Sequence, residues 1–313
     1  MKTYLITGSG GFIGGHLVEF LLGRGGRVCA VDQASAPPLR NAGRHYSFHA
    51  VDIMDKEALA ALVVEARPDV IFHLAAQSYP EASWEKPALT FEVNVLGAIN
   101  VMEAVKSAGL KLRIVMAGSS AEYAPVQDSA PIREDAPLDP SSPYGVSKLA
   151  MDQAARLYAG RHGLSVVVVR PFFVIGPRKR GDVCSDFARG IVAIERGEKK
   201  ELPVGNLAAV RDLLDVRDGI EALLCAAEKG AAGEVYNICS GKGYSLREVL
   251  DIFKSMSKAT IVERSDSSRL RKLDEPVRIG DPTKLMALGW RPRREIRETL
   301  KEILEYWRAE EER

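Results

Sequence analysis

The chain has 313 residues, of which 46% are hydrophobic, so it can bury a large core and we expect two lobes. Its formal net charge of +1 gives no electrostatic reason to bind nucleic acid or a membrane surface. No signal peptide or long apolar span is apparent, so the sequence predicts a soluble, cytoplasmic protein. The four cysteines lack metal-ligand spacing, and no metal site is predicted.

A glycine-rich turn connects the first predicted strand, residues 2–7, to the first predicted helix. In that context Gly8 allows a tight turn, Gly11 lets the backbone approach a pyrophosphate, and Gly14 lets the helix pack on the strand. The N-terminus of the helix offers N–H groups to phosphates. A turn without any ligand is the alternative. The predicted cofactor contacts here are Gly8, Gly11, Phe12, Ile13 and Gly14.

The second predicted strand covers residues 27–32 and ends in Asp32. A carboxylate there can accept hydrogen bonds from both adenosine ribose hydroxyls, and it would repel a 2′-phosphate. NAD(H) is therefore favoured, although Arg40 is near enough in sequence to leave NADP(H) open. After the next strand, Asp52 could reach the adenine amino group or cap the helix that starts near Lys56, and both interpretations stand.

Strand and helix patterns alternate through the rest of the first half. Strands are predicted at 70–76, 113–120 and 166–170, and a long amphipathic helix runs over 91–108. Continuous apolar strands separated by helices predict a Rossmann-type, doubly wound parallel α/β sheet covered on both faces. Ligands of such sheets bind at the carboxyl ends of the strands. The residues at those ends are Gly8, Asp32, Ala75 and Ser120.

The second half of the chain changes character and predicts a smaller α/β substrate lobe. Helices are expected near 186–196, 245–257 and 295–308, and a strand at 235–238 returns to the main sheet. The predicted dinucleotide-binding domain comprises 1–170 and about 206–239. The predicted substrate lobe comprises 171–205 and about 240–313.

Tyr144 and Lys148 form the most informative pair of side chains in the chain. They are four residues apart behind Ser142 and Pro143, which predicts a helix that stacks both on one face. A buried ammonium beside a phenol favours the phenolate, so we expect Lys148 to lower the pKa of Tyr144. A tyrosine tuned in this way can exchange a proton with a carbinol or carbonyl oxygen. An isolated match of this kind is often a chance surface pair.

The glycine turn, Ser120 and the Tyr144–Lys148 pair together resemble the extended short-chain dehydrogenase/reductases that act on nucleotide sugars. The resemblance covers nearly the whole chain. It implies that Ser120 hydrogen-bonds the sugar oxygen, that Tyr144 is the proton donor or acceptor, and that Lys148 holds the nicotinamide ribose. A turn or helix cap is the alternative role for Ser120. The cofactor contacts that complete the predicted set are Asp52, Ile53, Leu74, Ala75 and Ala76.

Within this family, several stretches resemble the GDP-sugar reductases and 4,6-dehydratases, including 118–123, 204–207 and 236–241. The resemblance implies a GDP-hexose substrate whose diphosphate is clamped by Arg211, for which an ion pair with a nearby aspartate is the alternative. Phe173 stands where the family usually has asparagine, which puts the sugar specificity in doubt. The predicted substrate contacts are Gln77, Ser120, Phe173, Arg211, Arg271 and Asp274.

Three reactions and one non-catalytic role follow from the resemblance. The leading hypothesis is reduction of a C4 keto group in a GDP-4-keto-6-deoxy-hexose. A 4,6-dehydratase that recycles NAD is second, because Glu122 stands where dehydratases place an acid/base, although a surface glutamate is equally expected there. A 4-epimerase is weakened by a loop after Ser120 that is one residue shorter than in epimerases. A non-catalytic dinucleotide sensor is disfavoured, because such a protein does not need a tyrosine whose pKa is tuned for proton transfer.

The helices near 91–108 and 146–160 carry more apolar residues than one sheet face needs. In the family that the chain resembles, the matching helices form a four-helix dimer interface. The sequence therefore predicts a homodimer with a two-fold axis.

Overall fold

The computed structural model describes residues 1–33, 43–126, 130–269 and 275–310. In chain order its strands are β1 (Thr3–Thr7), β2 (Arg27–Asp32), β3 (Tyr46–Ala50), β4 (Val70–His73), β5 (Arg113–Ala117), β6 (Ser165–Pro171), β7 (Phe173–Ile175), β8 (Glu201–Val204), β9 (Val210–Asp215), β10 (Val235–Ile238), β11 (Gly243–Ser245), β12 (Val262–Ser265) and β13 (Val277–Arg278). Its helices are α1 (Phe12–Gly23), α2 (Lys56–Ala66), α3 (Pro80–Glu85), α4 (Pro87–Phe91), α5 (Gly97–Ala108), α6 (Pro143–His162), α7 (Val183–Glu195), α8 (Val216–Lys229), α9 (Leu246–Met256), α10 (Thr283–Met286) and α11 (Ile296–Glu310).

Seven parallel strands form the main sheet in the order β10-β6-β5-β4-β1-β2-β3. The predicted doubly wound parallel sheet is confirmed, and β10 returns to it beside β6 as expected. The order of the strands reverses between β1 and β4, which are neighbours in the sheet. Such a reversal opens a crevice beyond the carboxyl ends of the two strands, where ligands of this architecture bind.

Successive residues of each strand point to opposite faces of the main sheet. Both faces are buried, each by its own set of helices. Ile6 and Phe72 belong to the hydrophobic cluster that includes α1 and α8, whereas Leu5 and Ile71 belong to the cluster that includes α2, α5 and α6. Fully burying one side chain of this size contributes about 1.5–3 kcal/mol. The continuous apolar strands seen in the sequence therefore reflect a sheet with helices on both sides.

Outside the main sheet, the described residues form a smaller mixed sheet and a parallel strand pair. β9 pairs with β7, β11 and β13, and β8 pairs with β12. The sequence assigned 206–239 to the dinucleotide-binding domain, but residues 210–215 lie in this smaller sheet, whereas α8 and β10 pack with the main one. Most of β9 is buried, between α8 and α11, so its apolar residues did not reveal which sheet it joins. The division into two lobes otherwise stays a prediction.

The predicted helix at 91–108 is longer and less regular than expected. It begins at Pro87 and consists of α4, a π-helical turn over Glu92–Leu96, and α5. By length and composition this stretch could cross a membrane, but half of its most apolar window is buried within the protein. It packs against α2 and α6 there, as a core helix does. The charged residues in the stretch kept it from standing out as a long apolar span in the sequence.

Candidate active site

The glycine turn between β1 and α1 has the geometry that the sequence predicted. Gly8 has a φ of +73°, which side chains rarely tolerate, and a Cβ there would lie 2.6 Å from the Ala75 nitrogen. A Cβ on Gly14 would collide with the Gly8 carbonyl oxygen. α1 begins at Phe12 behind Gly11, and no side chain caps it. The turn therefore presents bare backbone and the N-terminus of a helix, which together can receive a pyrophosphate.

Asp32 lies beside this turn at the end of β2. One of its oxygens accepts the Gly10 N–H at 2.7 Å and the other accepts the Gln33 N–H at 2.8 Å. Each carboxylate oxygen can accept more than one hydrogen bond, so ribose hydroxyls could bind as well. The contact to the cofactor itself stays a prediction, and Arg40 lies outside the described residues.

Asp52 does not cap the helix that follows it, so that interpretation is wrong. Its carboxylate accepts the Met54 N–H at 2.9 Å, and the cap of α2 is Asp55, which accepts the Ala58 N–H at 2.9 Å. The neighbouring Ile53 is buried. The alternative role of Asp52, a contact to the adenine, stays a prediction.

The segment after β4 lines the crevice with backbone. The Leu74 N–H donates to the Thr7 carbonyl at 3.1 Å, which holds this segment against the glycine turn. His73 is buried within 2.8 Å of the Thr7 hydroxyl, and burial lowers its pKa to about 3. It is therefore a neutral core histidine. Ala75 and Ala76 follow with small side chains, as a close-lying cofactor requires.

Gln77 is fixed by partners within the protein. Its backbone N–H donates to Asn94 Oδ1 at 2.8 Å, and its side-chain amide closes a turn with the backbone of Tyr79 at 3.0 and 3.1 Å. Asn94 also donates to the Ser147 hydroxyl at 2.9 Å and so joins this segment to α6. A contact between Gln77 and the substrate stays a prediction.

α6 begins where the sequence predicted. Pro143 is its first residue, and the Ser142 hydroxyl accepts the Gly145 N–H at 3.1 Å. The Tyr144 N–H donates to the Ser83 hydroxyl at 3.1 Å, which fixes the first turn against α3. The Lys148 ammonium is buried and donates to the Ala117 carbonyl at the end of β5 at 2.7 Å.

The expected lowering of the Tyr144 pKa by Lys148 is not found. Burial raises the pKa of Tyr144 to about 12, and a hydrogen bond from the Ser119 side chain opposes this only in part. Burial also lowers the pKa of Lys148 to about 8. Desolvation disfavours both charged forms, and it outweighs the attraction that spacing alone suggested. Tyr144 is therefore a phenol, and thus a proton donor, at neutral pH.

Ser119 is the serine whose side chain acts on the pKa of the Tyr144 phenol. Ser119 is extended and caps a single 3₁₀ turn over Ser120–Glu122, in which Ser120 is buried. The Ser120 carbonyl accepts a hydrogen bond from the Arg278 guanidinium. The catalytic role of Ser120 stays a prediction, and Ser119 is a second candidate for it.

Glu122 is fully buried, so the expectation of a surface glutamate is wrong. One of its oxygens accepts the Ser119 N–H at 2.7 Å, and the other accepts Arg170 Nε at 2.8 Å. Burial raises the pKa of this carboxyl to about 8. Both oxygens are thus engaged inside the protein, which does not favour the acid/base role that a dehydratase would need.

Arg211 and Phe173 lie together on adjacent strands of the smaller sheet. The Arg211 guanidinium lies 5.6 Å from the centre of the Phe173 ring, and it donates to the carbonyls of Val210 and Glu275 at 2.9 and 2.8 Å. The residue that replaces the usual asparagine therefore offers the arginine an aromatic face. Roles of both in substrate binding stay predictions. The other two predicted substrate contacts, Arg271 and Asp274, lie outside the described residues.

Comparisons with known proteins agree with this architecture. A family model described as GDP-mannose 4,6 dehydratase matches residues 5–303. The chain is 32% identical to GDP-6-deoxy-D-mannose reductase from Pseudomonas aeruginosa over 308 residues, which cover 97% of this chain and 96% of that protein.

Solved structures superpose over almost the whole chain. RMD from Pseudomonas aeruginosa complexed with NADPH matches with a TM-score of 0.86 and 30% identity, covering 99% of this chain and 100% of that one. The UDP-glucose 4-epimerase of Thermus thermophilus in complex with NAD matches with a TM-score of 0.88 and 31% identity, covering 98% and 99%.

Proposed function

The chain belongs to the GDP-mannose 4,6-dehydratase family of NAD(P)-dependent nucleotide-sugar enzymes, and from this premise we propose that it reduces the C4 keto group of a GDP-4-keto-6-deoxy-hexose. The observation that carries the choice of a reductase is the burial of Glu122. A dehydratase needs an acid/base at C5 and C6 besides Tyr144, whereas the carboxylate available for that task is bound to Ser119 and Arg170. A reductase needs only one proton donor.

The residues at the crevice fit a dinucleotide, because close backbone contacts at Gly8 and Gly14 hold the turn tight and no side chain caps the N-terminus of α1, which can bind phosphate. When bound, NAD(P)H supplies a hydride to the carbonyl carbon. Tyr144 donates its phenolic proton to the carbonyl oxygen, and its pKa of about 12 keeps that proton in place at neutral pH. Ser119 hydrogen-bonds the phenol and orients it. The buried Lys148 charge then stabilises the phenolate that remains.

A 4,6-dehydratase is the second candidate, because the matching family model carries that description. The test is to incubate the protein with GDP-mannose and, separately, with its 4-keto-6-deoxy product plus NADH or NADPH. A reductase leaves GDP-mannose unchanged and adds two hydrogens to the keto sugar. Loss of water from GDP-mannose would instead identify a dehydratase. Conversion of a nucleotide sugar to a 4-epimer of unchanged mass would identify an epimerase.

The preference for NAD(H) is part of the proposal, with Asp32 as its determinant. Asp32→Asn keeps an acceptor for the Gly10 N–H but removes the charge that repels a 2′-phosphate. We expect the wild type to bind NADH more tightly than NADPH, and the variant to lose most of that preference by binding NADPH more tightly. Dissociation constants from nicotinamide fluorescence provide the measurement. A wild type that clearly prefers NADPH contradicts the role given to Asp32.

Removing the hydroxyl of each serine in turn tests which of the two acts with Tyr144. Ser119→Ala should lower kcat roughly 5- to 150-fold, because a hydrogen bond worth about 1–3 kcal/mol is lost where it helps the proton donor. Ser119→Thr should restore most of the activity, since threonine keeps the hydroxyl. Ser120→Ala is the matched control and should change kcat little. If Ser120→Ala lowers kcat more than Ser119→Ala does, the catalytic role belongs to Ser120.

We also propose the homodimer that the sequence suggested. The helical stretch from α4 to α5 exposes Leu89, Phe91 and Leu96, and the adjoining α6 exposes Val146 and Leu157, which is 68% accessible. Burying this apolar face against a second copy would complete a four-helix bundle. All four cysteines are free, which fits the cytoplasmic location that we propose as well.

Light scattering at micromolar concentration should give twice the chain mass of 34.2 kDa. Leu157→Glu should shift the protein toward the monomer, because it places a charge in the apolar face. Val64→Glu, which introduces the same charge at an exposed position of α2, is the control and should leave the dimer intact. A wild type that stays monomeric contradicts the proposal.

A further inference from the structure

We propose that Glu122 and Asp152 share a single proton around Arg170, and that this closed, neutral cluster positions Ser119 against the Tyr144 phenol. The first half of the inference stands independently of which reaction the protein catalyses. The second half rests on the proposed function, because it concerns the group that donates the proton to the substrate. Glu122, Asp152 and Arg170 are thus positioning residues, which act on the chemistry through Ser119 and Tyr144.

The cluster contains two carboxylates and one guanidinium, all inaccessible to solvent. The side-chain exposure is 1% for Arg170 and 0% for both Glu122 and Asp152. Arg170 Nε lies 2.8 Å from Glu122 Oε2 and 3.0 Å from Asp152 Oδ2, so both carboxylates converge on one N–H. Arg170 Nη2 lies 2.5 Å from the same Asp152 oxygen. If both carboxylates were ionised, the cluster would carry a buried net charge of −1.

No second cation among the described residues is hydrogen-bonded to these carboxylates, and Lys148 attracts Glu122 only through space. Among the described residues, Arg170 is the only cation hydrogen-bonded to either carboxylate. The Lys148 ammonium donates to the Ala117 carbonyl, and the Arg278 guanidinium is paired with Glu275. Removing an uncompensated charge from water is costly, and a buried carboxyl usually avoids that cost by taking a proton.

The other groups that the structure describes around the cluster add no hydrogen bond from a cation. The Tyr123 ring stacks over Arg170 at 4.8 Å, and its hydroxyl donates to Asn237. The Glu134 carboxylate accepts the Asn237 N–H, and only its backbone carbonyl, at 3.4 Å, faces Arg170.

The place left for the shared proton is between the two carboxyl groups. Asp152 Oδ1 is buried, and it has no hydrogen-bond partner among the described residues. Burial, reinforced by repulsion from the Asp152 carboxylate, raises the pKa of Glu122 to about 8 despite the attraction of Arg170. A carboxyl pair that cannot ionise twice holds one proton across neutral pH.

The cluster is connected to the reacting groups by two routes. Tyr144, Lys148 and Asp152 are spaced four residues apart, so they lie along one face of α6. Glu122 Oε1 accepts the Ser119 N–H at 2.7 Å, and the Ser119 side chain is hydrogen-bonded to Tyr144. The proton therefore lets a glutamate approach the phenol and hold Ser119 without placing a negative charge beside them.

Asp152→Asn tests the shared proton, because the amide N–H can stand permanently where the proton lay. The infrared spectrum of the wild type at pH 7 should contain the carbonyl band of one protonated carboxylic acid. That band should disappear above about pH 8, and it should be absent from the variant at pH 7, where ordinary carboxyl groups are ionised. Asp139→Asn removes an exposed carboxylate near α6 and is the matched control, in which the band should persist.

The pH dependence of unfolding is a second readout. The pKa of Glu122 is raised above its unfolded value of 4.5, so its stabilisation is full below pH 4.5 and is lost as the pH rises through about 8. Between those limits, unfolding of the wild type should release about one more proton than unfolding of Asp152→Asn. Urea unfolding at pH 5, 6, 7 and 8 measures this difference, and Asp139→Asn should follow the wild type.

The rate gives a third readout, which reports on positioning. Above pH 8 the wild-type cluster becomes anionic and favours the charged form of Lys148, whereas the cluster of Asp152→Asn stays neutral. The fall of kcat at alkaline pH should therefore begin at a lower pH in the variant. Absence of the carboxylic acid band from the wild type at pH 7, or an unfolding slope unchanged in the variant, overturns the shared proton. Both measurements hold whichever nucleotide sugar is the substrate, so they fail separately from the proposed reductase activity.

Discussion

Replacing Tyr144 with phenylalanine is expected to lower kcat by about 10²–10⁴ while NAD(P)H still binds. The variant keeps the ring and its packing at the start of α6, but it loses the proton that the carbonyl oxygen must receive. Burial holds the pKa of Tyr144 near 12, so the wild-type phenol keeps its proton at neutral pH. Phenylalanine has no proton to donate. The measurements are the single-turnover rate of keto-sugar reduction and the dissociation constant of NADH.

Tyr158→Phe is the matched control for this prediction. Tyr158 lies on the same helix, and its hydroxyl is hydrogen-bonded to Glu103 at 2.5 Å, away from the crevice. Loss of the Tyr158 hydroxyl should leave kcat close to that of the wild type. Near-normal turnover in Tyr144→Phe would refute the mechanism for a reductase, a dehydratase and an epimerase alike, since each uses this phenol.

Replacing Lys148 with methionine should lower kcat by about 10²–10³ and also weaken cofactor binding, because it removes both a proposed ribose contact and the charge that stabilises the phenolate. Burial lowers the pKa of Lys148 to about 8, so the charged form predominates below that pH and is lost above it. Wild-type kcat should accordingly fall above pH 8, and that fall should be absent from the residual activity of the variant.

The melting temperature separates this catalytic role from a structural one. A lysine with a depressed pKa lowers the stability of the fold at pH values below that pKa, because a charge is buried there. Lys148→Met should therefore be no less stable than the wild type at pH 7. Lys301→Met removes an exposed charge from α11 and is the control for both activity and binding. An unstable variant with normal kcat per folded molecule would contradict the catalytic assignment.

Features that depend on local spacing could be predicted from the order of the residues. The glycine turn requires Gly8 and Gly14 wherever a strand, a tight turn and a helix follow one another, so the turn could be recognised before any contact was known. The alternation of apolar strands and helices likewise determined the parallel sheet. Ser142, Pro143 and the four-residue spacing of Tyr144 and Lys148 determined how α6 begins and which face carries the pair.

How these groups act on one another depends on the packing of the folded chain. The pKa of Tyr144 rises instead of falling because desolvation depends on everything packed around the phenol, and spacing along one helix does not report it. Which of the two serines acts on the Tyr144 phenol depends on how the chain turns between β5 and α6, and the order of the residues does not report that. Glu122 appeared equally suited to the surface and to catalysis, and its burial depends on Arg170, 48 residues away. These outcomes arise from contacts between distant segments, and such contacts exist only after the chain has folded.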